Sequence, residues 1–319
     1  MEFVKDFGAI KKTETESAND RKREYLKDNY LPGEVKADAY RQFASDKKTE
    51  LMDALSDEDE GTVAYVLMDM ESTDKKADQQ KILMDSKLSG AGKLTTYNEL
   101  LASDSEKELI QKLSGEKDDA VMNFLSKWNK ASDAYDKAAA IKNSKLTDEG
   151  KKAAYLSKYS SEKEEEFIKN AGTKAVDALI ELRLAENAQG DKKKAQYAAI
   201  LDSGLNENQQ IQLFMIKFGG DGEREKINAV RETGLSFTDY LNFKYYLSNV
   251  KKDDNMTKKE KVEEKIMSFG LNAEQSNALW AMAGYTGQLM SGALSLAAPK
   301  LTEPELKVKK LDVLPLAAP

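Results

Sequence analysis

Apolar residues recur at three- and four-residue steps along most of this chain, which is the period of one face of an α-helix. The pattern is clear after Gly33, where Val35, Ala39, Tyr40 and Phe43 follow one another at this spacing. Residues 33–298 contain no proline, whereas β-rich proteins usually carry proline in their loops and edge strands. The sequence therefore predicts an all-α fold, with more than about 60% of the residues in helices.

Short polar stretches divide the helical pattern into many short segments. At several places a leucine lies one or two residues before a Ser, Thr or Asn, and a new apolar run follows. Such polar side chains are typical helix N-caps. The predicted N-caps are Ser56, Ser103, Thr147, Asn206, Ser236 and Asn272. We expect an elongated array of short helices, arranged as helix-turn-helix repeats.

Two of these helix starts share one motif. Gly-Leu-Asn-x-x-Gln occurs at 204–209 and again at 270–275, a spacing of 66 residues. The match predicts an internal repeat in which the two segments form equivalent helices. We expect Leu205 and Leu271 to be buried and the two asparagines to cap their helices.

The two ends of the chain differ from the middle. Residues 1–31 carry a sparse apolar face that includes Tyr25 and Tyr30, and they predict a long N-terminal helix ending before Pro32. Four of the five prolines lie in the last 21 residues, which predicts an extended C-terminal tail. The predicted organisation is an N-terminal helix, a helical array, a helical repeat module and a tail, at 1–31, 34–199, 200–285 and 286–319.

The composition excludes many kinds of catalytic site. The chain has 49 basic and 56 acidic residues, a net charge of −7, and neither Cys nor His. It therefore lacks a thiolate nucleophile, a histidine base and the common zinc ligands. Only six basic residues are Arg, which argues against sequence-specific nucleic-acid binding. We expect a non-enzymatic protein with no catalytic residue, no cofactor-binding residue and no metal site.

One segment is similar to a phosphate-binding loop. Residues 89–96 contain Gly-Lys, but Lys87 and Leu94 stand where a P-loop requires glycine and a hydroxyl residue. We interpret the segment as a loop that connects two helices.

The tail retains leucines that a purely solvated linker would have little use for. They are the predicted partner-binding residues, and we expect them to dock in extended form on a neighbouring copy or on a particle wall. These residues are Leu301, Leu306, Leu311, Leu314 and Leu316.

An uncharged stretch at 276–299 has roughly the length of a membrane span. It contains Asn277, Gln288 and several Gly and Ser residues, so its hydrophobicity is modest. A buried helix followed by a linker of small residues is the favoured interpretation, and a membrane partner is not expected.

The region 200–285 contains a set of helix-packing residues at characteristic spacings. They are Gly234, Leu235, Ser236, Tyr240, Phe243, Lys258, Lys259, Lys261, Val262, Ile266, Leu271, Gln275, Leu279, Gly284 and Tyr285. This pattern resembles a helical module near the C-termini of minor structural, capsid-internal and very large polyvalent proteins of tailed bacteriophages and related mobile elements. The resemblance covers about a quarter of the chain and carries over no active residue.

The resemblance implies a virion-associated structural, internal or packaged cargo protein, made in the bacterial host cytoplasm. Its implied partners are other virion proteins or copies of itself. A cytoplasmic helical binding or regulatory module is the alternative, and a membrane-inserting ejection protein that uses residues 276–298 is a weaker one.

Overall fold

The computed structural model describes residues 7–11, 17–251, 256–287 and 289. The chain is 71% helical, and the described residues contain no strand. One helical turn at residues 7–9 is followed, within the described part, by eighteen helices of 9 to 13 residues. The predicted all-α fold of short helices is confirmed.

The first of two compact units comprises the described parts of residues 1–132 and 143–157. Its helices are α1 (Ala18–Asp28), α2 (Gly33–Arg41), α3 (Asp46–Ala54), α4 (Glu60–Met70), α5 (Lys76–Asp85), α6 (Gly90–Leu100), α7 (Asp104–Lys112), α8 (Asp118–Lys130) and nearly all of α10 (Asp148–Lys158). Helix α2 packs on α4, and α6 packs on α8. Tyr40, Leu67, Tyr97 and Phe124 are at most 1% exposed and form part of this core.

The second compact unit comprises residues 133–142 and the described residues from 158 onward. Its helices are α9 (Ala134–Lys142), α11 (Glu162–Ala171), α12 (Thr173–Ala185), α13 (Lys192–Leu201), α14 (Glu207–Phe218), α15 (Glu223–Glu232), α16 (Phe237–Asn249), α17 (Lys258–Ser268) and α18 (Ala273–Met282). Buried aromatic rings join α13, α14 and α16. The ring of Phe214 lies 5.9 Å from Tyr197 and 5.7 Å from Phe237, between ring centres.

Most of the predicted N-caps are confirmed. Ser103, Asn206, Ser236 and Asn272 each form a capping box with the residue three positions later. The hydroxyl of Thr147 accepts the N–H of Gly150 at 3.2 Å.

The predicted cap at Ser56 is wrong, because α4 begins later in the chain. Asp59 is the N-cap, and its carboxylate accepts the N–H of Thr62 at 2.7 Å. A carboxylate at this position also interacts favourably with the helix dipole.

The repeated Gly-Leu-Asn-x-x-Gln motif gives the same structure twice. Gly204 and Gly270 both have left-handed backbone angles, with φ of 67° and 62°. Leu205 and Leu271 are buried, and the asparagine that follows each leucine caps a helix. The expected burial, caps and helices are confirmed for both segments.

The long N-terminal helix predicted for residues 1–31 is not shown. Residues 10, 11 and 17 are not helical, and α1 begins only at Ala18. Ser17 and Asp20 form a capping box, in which each side chain accepts the backbone N–H of the other. These local hydrogen bonds start a new helix at this point, and they replace those that a continuous helix would make. Tyr30, predicted on the apolar face, is fully exposed.

Residues 89–96 are also not the predicted loop, because residues 90–100 form α6. Ser89 is its N-cap, and the Ser89 hydroxyl accepts the N–H of Gly92 at 3.1 Å. The carboxylate of Glu58 accepts hydrogen bonds from both the N–H and the hydroxyl of Ser89. The glycines that suggested a phosphate loop therefore lie in the first turn of a helix.

The other predicted boundaries remain predictions. Helix α13 runs across the predicted start of the repeat module at residue 200. None of the helices in the described part of the chain is long and apolar enough to cross a membrane. Helix α18 covers the beginning of the uncharged stretch, and residues 290–299 lie outside the described residues.

Candidate docking cleft

A cleft of about 770 Å³ opens in the first unit, beside the N-terminal ends of α2 and α4 and along α5. Four apolar side chains line it, and we call them its floor. Leu31, Tyr65 and Ile82 are half-buried, and Val66 is buried. Burial of apolar surface is the main driving force for association, so this floor is suited to an apolar side chain of a ligand.

Two glycines allow the helix ends to meet at the cleft. A Cβ on Gly33 would lie 3.0 Å from the Cα of Gly61, and a Cβ on Gly61 would lie 2.5 Å from the Cα of Gly33. Larger residues would force α2 and α4 apart. The close approach of the two backbones therefore shapes this end of the cleft.

A buried lysine supports the ring of Tyr65 from α2. Lys36 is 3% exposed, and its ammonium donates a hydrogen bond to the Tyr65 hydroxyl. The same nitrogen lies 4.4 Å from the centre of the Tyr65 ring. A cation near an aromatic ring is attracted to it, so the contact fixes the orientation of this floor residue.

Four aspartates and two lysines surround the apolar floor, which leaves the lining with two net negative charges. The aspartates are Asp59, Asp69, Asp78 and Asp85, and the lysines are Lys81 and Lys87. All of them except Asp69 are exposed. Hydrogen bonds from the hydroxyl and the N–H of Thr62 lower the pKa of Asp59, which keeps this carboxylate ionised.

Local structure explains the negative charge of three of the four aspartates, but not that of the fourth. Asp59 caps α4, and Asp69 forms an ion pair with Lys27 at 2.6 Å. Asp78 lies in the first turn of α5, where an acid is favourable. Asp85 is the last residue of α5, where the helix dipole disfavours an acid, and it has no ion pair among the described residues. Its charge does not stabilise its own helix.

Exposed apolar side chains lie beside the cleft residues in the sequence. Tyr30 and Val35 are two of the large hydrophobic residues that the described structure leaves exposed. They flank Leu31 and Gly33, which line the cleft.

Several acidic side chains outside the cleft hold the helices together. The buried Glu106 accepts hydrogen bonds from Lys76 at 2.8 Å and from the Tyr97 hydroxyl at 2.6 Å. Burial alone would raise the pKa of Glu106, but hydrogen bonds from Lys76, Tyr97 and Ser103 outweigh it and lower the pKa to about 2. Glu71 accepts hydrogen bonds from Arg23 and Lys48 in the same way.

The predicted partner-binding leucines all lie outside the described residues: Leu301, Leu306, Leu311, Leu314 and Leu316. Sequence reasoning missed the cleft itself. Its aspartates carry no distinguishing signal in a chain with 56 acidic residues. The exposure of Tyr30 has no sequence signal either, because tyrosine fits an apolar helix face equally well.

No family model, curated protein or solved structure matches this chain. In the described part of the chain, no group of three or more acidic side chains is placed to hold a metal ion.

Proposed function

We propose that this chain is a non-enzymatic, virion-associated protein of a tailed bacteriophage, a structural, internal or packaged cargo protein. It acts through helix–helix and tail-mediated contacts with other virion proteins or with copies of itself. It is made in the cytoplasm of the bacterial host.

The observation that carries the proposal is the cleft of the first unit. An apolar floor with Tyr65 and Ile82, bordered by exposed carboxylates, suits a peptide that has apolar and basic side chains. Binding surfaces for proteins commonly combine an apolar centre with a polar rim.

The occupations of the buried carboxylates support a non-enzymatic function. Glu106 and Glu164 each form an ion pair between two helices, with Lys76 and Arg183 respectively. Their hydrogen-bonding capacity serves the fold, which explains their burial in structural terms.

The assignment to a phage particle is supported by the resemblance of residues 200–285 to the phage helical module. Leu235, Tyr240, Phe243, Ile266 and Leu279, which belong to that pattern, are all buried in the second unit. They therefore have the packing role that the module requires.

Mass spectrometry of purified particles tests the proposal. Particles would be isolated on a density gradient from the bacterial culture that produces this chain, and then washed at high salt. We expect the chain to remain with the capsid proteins in a fixed ratio. A chain found only in the soluble lysate, beside complete particles, would contradict the proposal and favour the cytoplasmic binding or regulatory module. Recovery with the membrane fraction would instead favour the ejection protein.

A further inference from the structure

The C-terminal residues 306–311 have a composition that complements the cleft. The segment reads Leu-Lys-Val-Lys-Lys-Leu and contains three lysines and no acid. In an extended chain successive side chains point to opposite faces. Across residues 306–309, Leu306 and Val308 would then share one face, and Lys307 and Lys309 would share the other.

Each half of this pattern has a counterpart in the cleft. The apolar face of the segment matches the floor of Leu31, Tyr65 and Ile82. The basic face matches the exposed carboxylates of Asp78 and Asp85. Docking would also supply Asp85 with the cation that its place at the end of α5 lacks.

We propose that the cleft of the first unit binds residues 306–311 from a second copy of this chain. The inference rests on the proposed function, because it specifies one of the tail-mediated contacts through which the protein assembles.

The proposed function favours a contact between copies, because assembly requires that the cleft of one copy bind the tail of another. The cleft belongs to the first unit, whereas Leu289, where the described residues end, belongs to the second. The N–H of Leu289 donates to the side-chain oxygen of Asn277 in α18 at 3.0 Å. Two different surfaces of one chain form a heterologous contact, which joins each copy to the next. Binding within one molecule would occupy both surfaces and leave neither for assembly.

Charge-reversed variants of the full-length chain test the inference. The cleft variant carries Asp78→Lys and Asp85→Lys, and the tail variant carries Lys307→Glu and Lys309→Glu. Both cleft positions are exposed on α5, so the substitutions leave the core intact. The matched control is Glu99→Lys with Glu108→Lys, two exposed acids of the same unit that do not line the cleft.

Sedimentation velocity over a range of concentrations measures self-association of each variant. We expect the parent chain and the control to associate, and the cleft and tail variants each to bind at least about tenfold more weakly. A chain that carries all four reversals should regain association, because attraction between the two surfaces is restored.

Mixing distinguishes a second copy from the same molecule. The cleft variant retains its own tail and the tail variant retains its own cleft, so an equal mixture of the two should form dimers that neither forms alone. No association in the mixture, or a monomeric parent chain at every concentration, overturns the inference.

Self-association that is unchanged in both variants also overturns it, but leaves the proposed function in place. Failure of the proposed function is a separate result, because it requires that the parent chain be absent from purified particles.

Discussion

Glu106 illustrates how single residues hold this fold together. It is 7% exposed, yet it accepts hydrogen bonds from Lys76, from the Tyr97 hydroxyl, and from the N–H and hydroxyl of Ser103. A buried carboxylate is costly unless it is paired and hydrogen-bonded. These donors favour the charged form of Glu106. Because Lys76 lies in α5 and Tyr97 in α6, the carboxylate connects both helices to α7.

The depressed pKa of Glu106 makes stability depend on pH. The pKa falls from an ordinary value of 4.5 to about 2, so the charge stabilises the fold above the unfolded pKa. That stability is lost as the pH falls through the folded pKa, by about 3 kcal/mol in total. We expect Glu106→Gln to be destabilised at neutral pH and to show a flatter dependence between pH 5 and pH 2. Urea unfolding measured across this range checks the result.

Glu108→Gln is the matched control for this prediction. Glu108 lies on the same helix but is exposed, so its substitution should leave the pH dependence unchanged. Equal slopes for all three proteins below pH 5 would show that the charge of Glu106 contributes nothing.

At the residue scale the sequence predicted the helix caps well, because a cap depends on a few neighbouring residues. Asn206 and Ser236 accept hydrogen bonds from the backbone N–H three positions later, and this requirement is visible in the sequence. Ser56 and Asp59 are both favourable N-cap residues, so the local sequence does not distinguish them. The helix that Asp59 caps also makes a long-range contact in its first turn, where Gly61 lies against Gly33.

At the scale of elements, one arrangement occurs twice: a glutamate just before one helix accepts a hydrogen bond from the N-cap residue of another helix. Glu58 binds Ser89 through the backbone N–H at 3.1 Å, and Glu116 binds Thr147 at 2.9 Å. Both pairs are 31 residues apart. In each pair the fourth residue of the capped turn is a glycine, Gly92 in the first pair. We call each pair, together with its glycine, a glutamate clamp.

The 58-residue spacing between the two clamps is visible in the sequence and could have been predicted. Ser-Lys-Leu-[Ser/Thr]-x-x-Gly-Lys occurs at 86–93 and at 144–151. We predicted only the 66-residue repeat, since residues 89–96 were compared with a phosphate loop and then interpreted as a loop that connects two helices. The long-range partners Glu58 and Glu116 could not be identified from one sequence, because many other acids are equally near in the chain.

The glutamate clamp predicts that replacing its glycine with alanine destabilises the chain, whereas the same replacement within a helix is normally stabilising. Alanine normally stabilises a helix by about 1 kcal/mol over glycine, but a Cβ on Gly92 would collide with the Glu58 carboxylate. We expect Gly92→Ala to destabilise the chain by about 1 kcal/mol, since displacement of Glu58 loses hydrogen bonds to a charged group. In a Glu58→Ala background the same substitution should be stabilising. Chemical denaturation of the four proteins of this cycle measures the coupling.

Gly150→Ala with Glu116→Ala is the corresponding test of the second clamp, where a Cβ would meet the Glu116 carboxylate. If Gly92→Ala stabilises the parent chain as much as the Glu58→Ala chain, the clamp does not act as described.

At the scale of the whole molecule, the helices form two compact units. Helix α9 belongs to the second unit, although it lies in the sequence between the two stretches that form the first unit. The all-α class followed from local periodicity. This division could not be predicted, because it depends on the packing of α9 against α12, more than 30 residues later in the chain. The function predicted for the C-terminal tail is tested by measuring whether chains with an altered tail are incorporated into particles.

A chain that ends at Gly287 should fold but fail to assemble. The loss includes the hydrogen bond from Leu289 to Asn277, worth about 1 kcal/mol, so the thermal unfolding transition should persist with a small shift. Burial of four or five tail leucines on a partner could contribute about 5–10 kcal/mol before ordering costs. We therefore expect the shortened chain to be absent from purified particles.

A full-length Leu306→Asp, Leu311→Asp variant separates the leucines from the length of the tail. It should lose incorporation as the shortened chain does, because charged side chains cannot replace the apolar contacts. Calorimetry and mass spectrometry of particles give the two readouts. Loss of the thermal transition would place the tail in the folded core, and normal incorporation of either protein would refute tail-mediated docking.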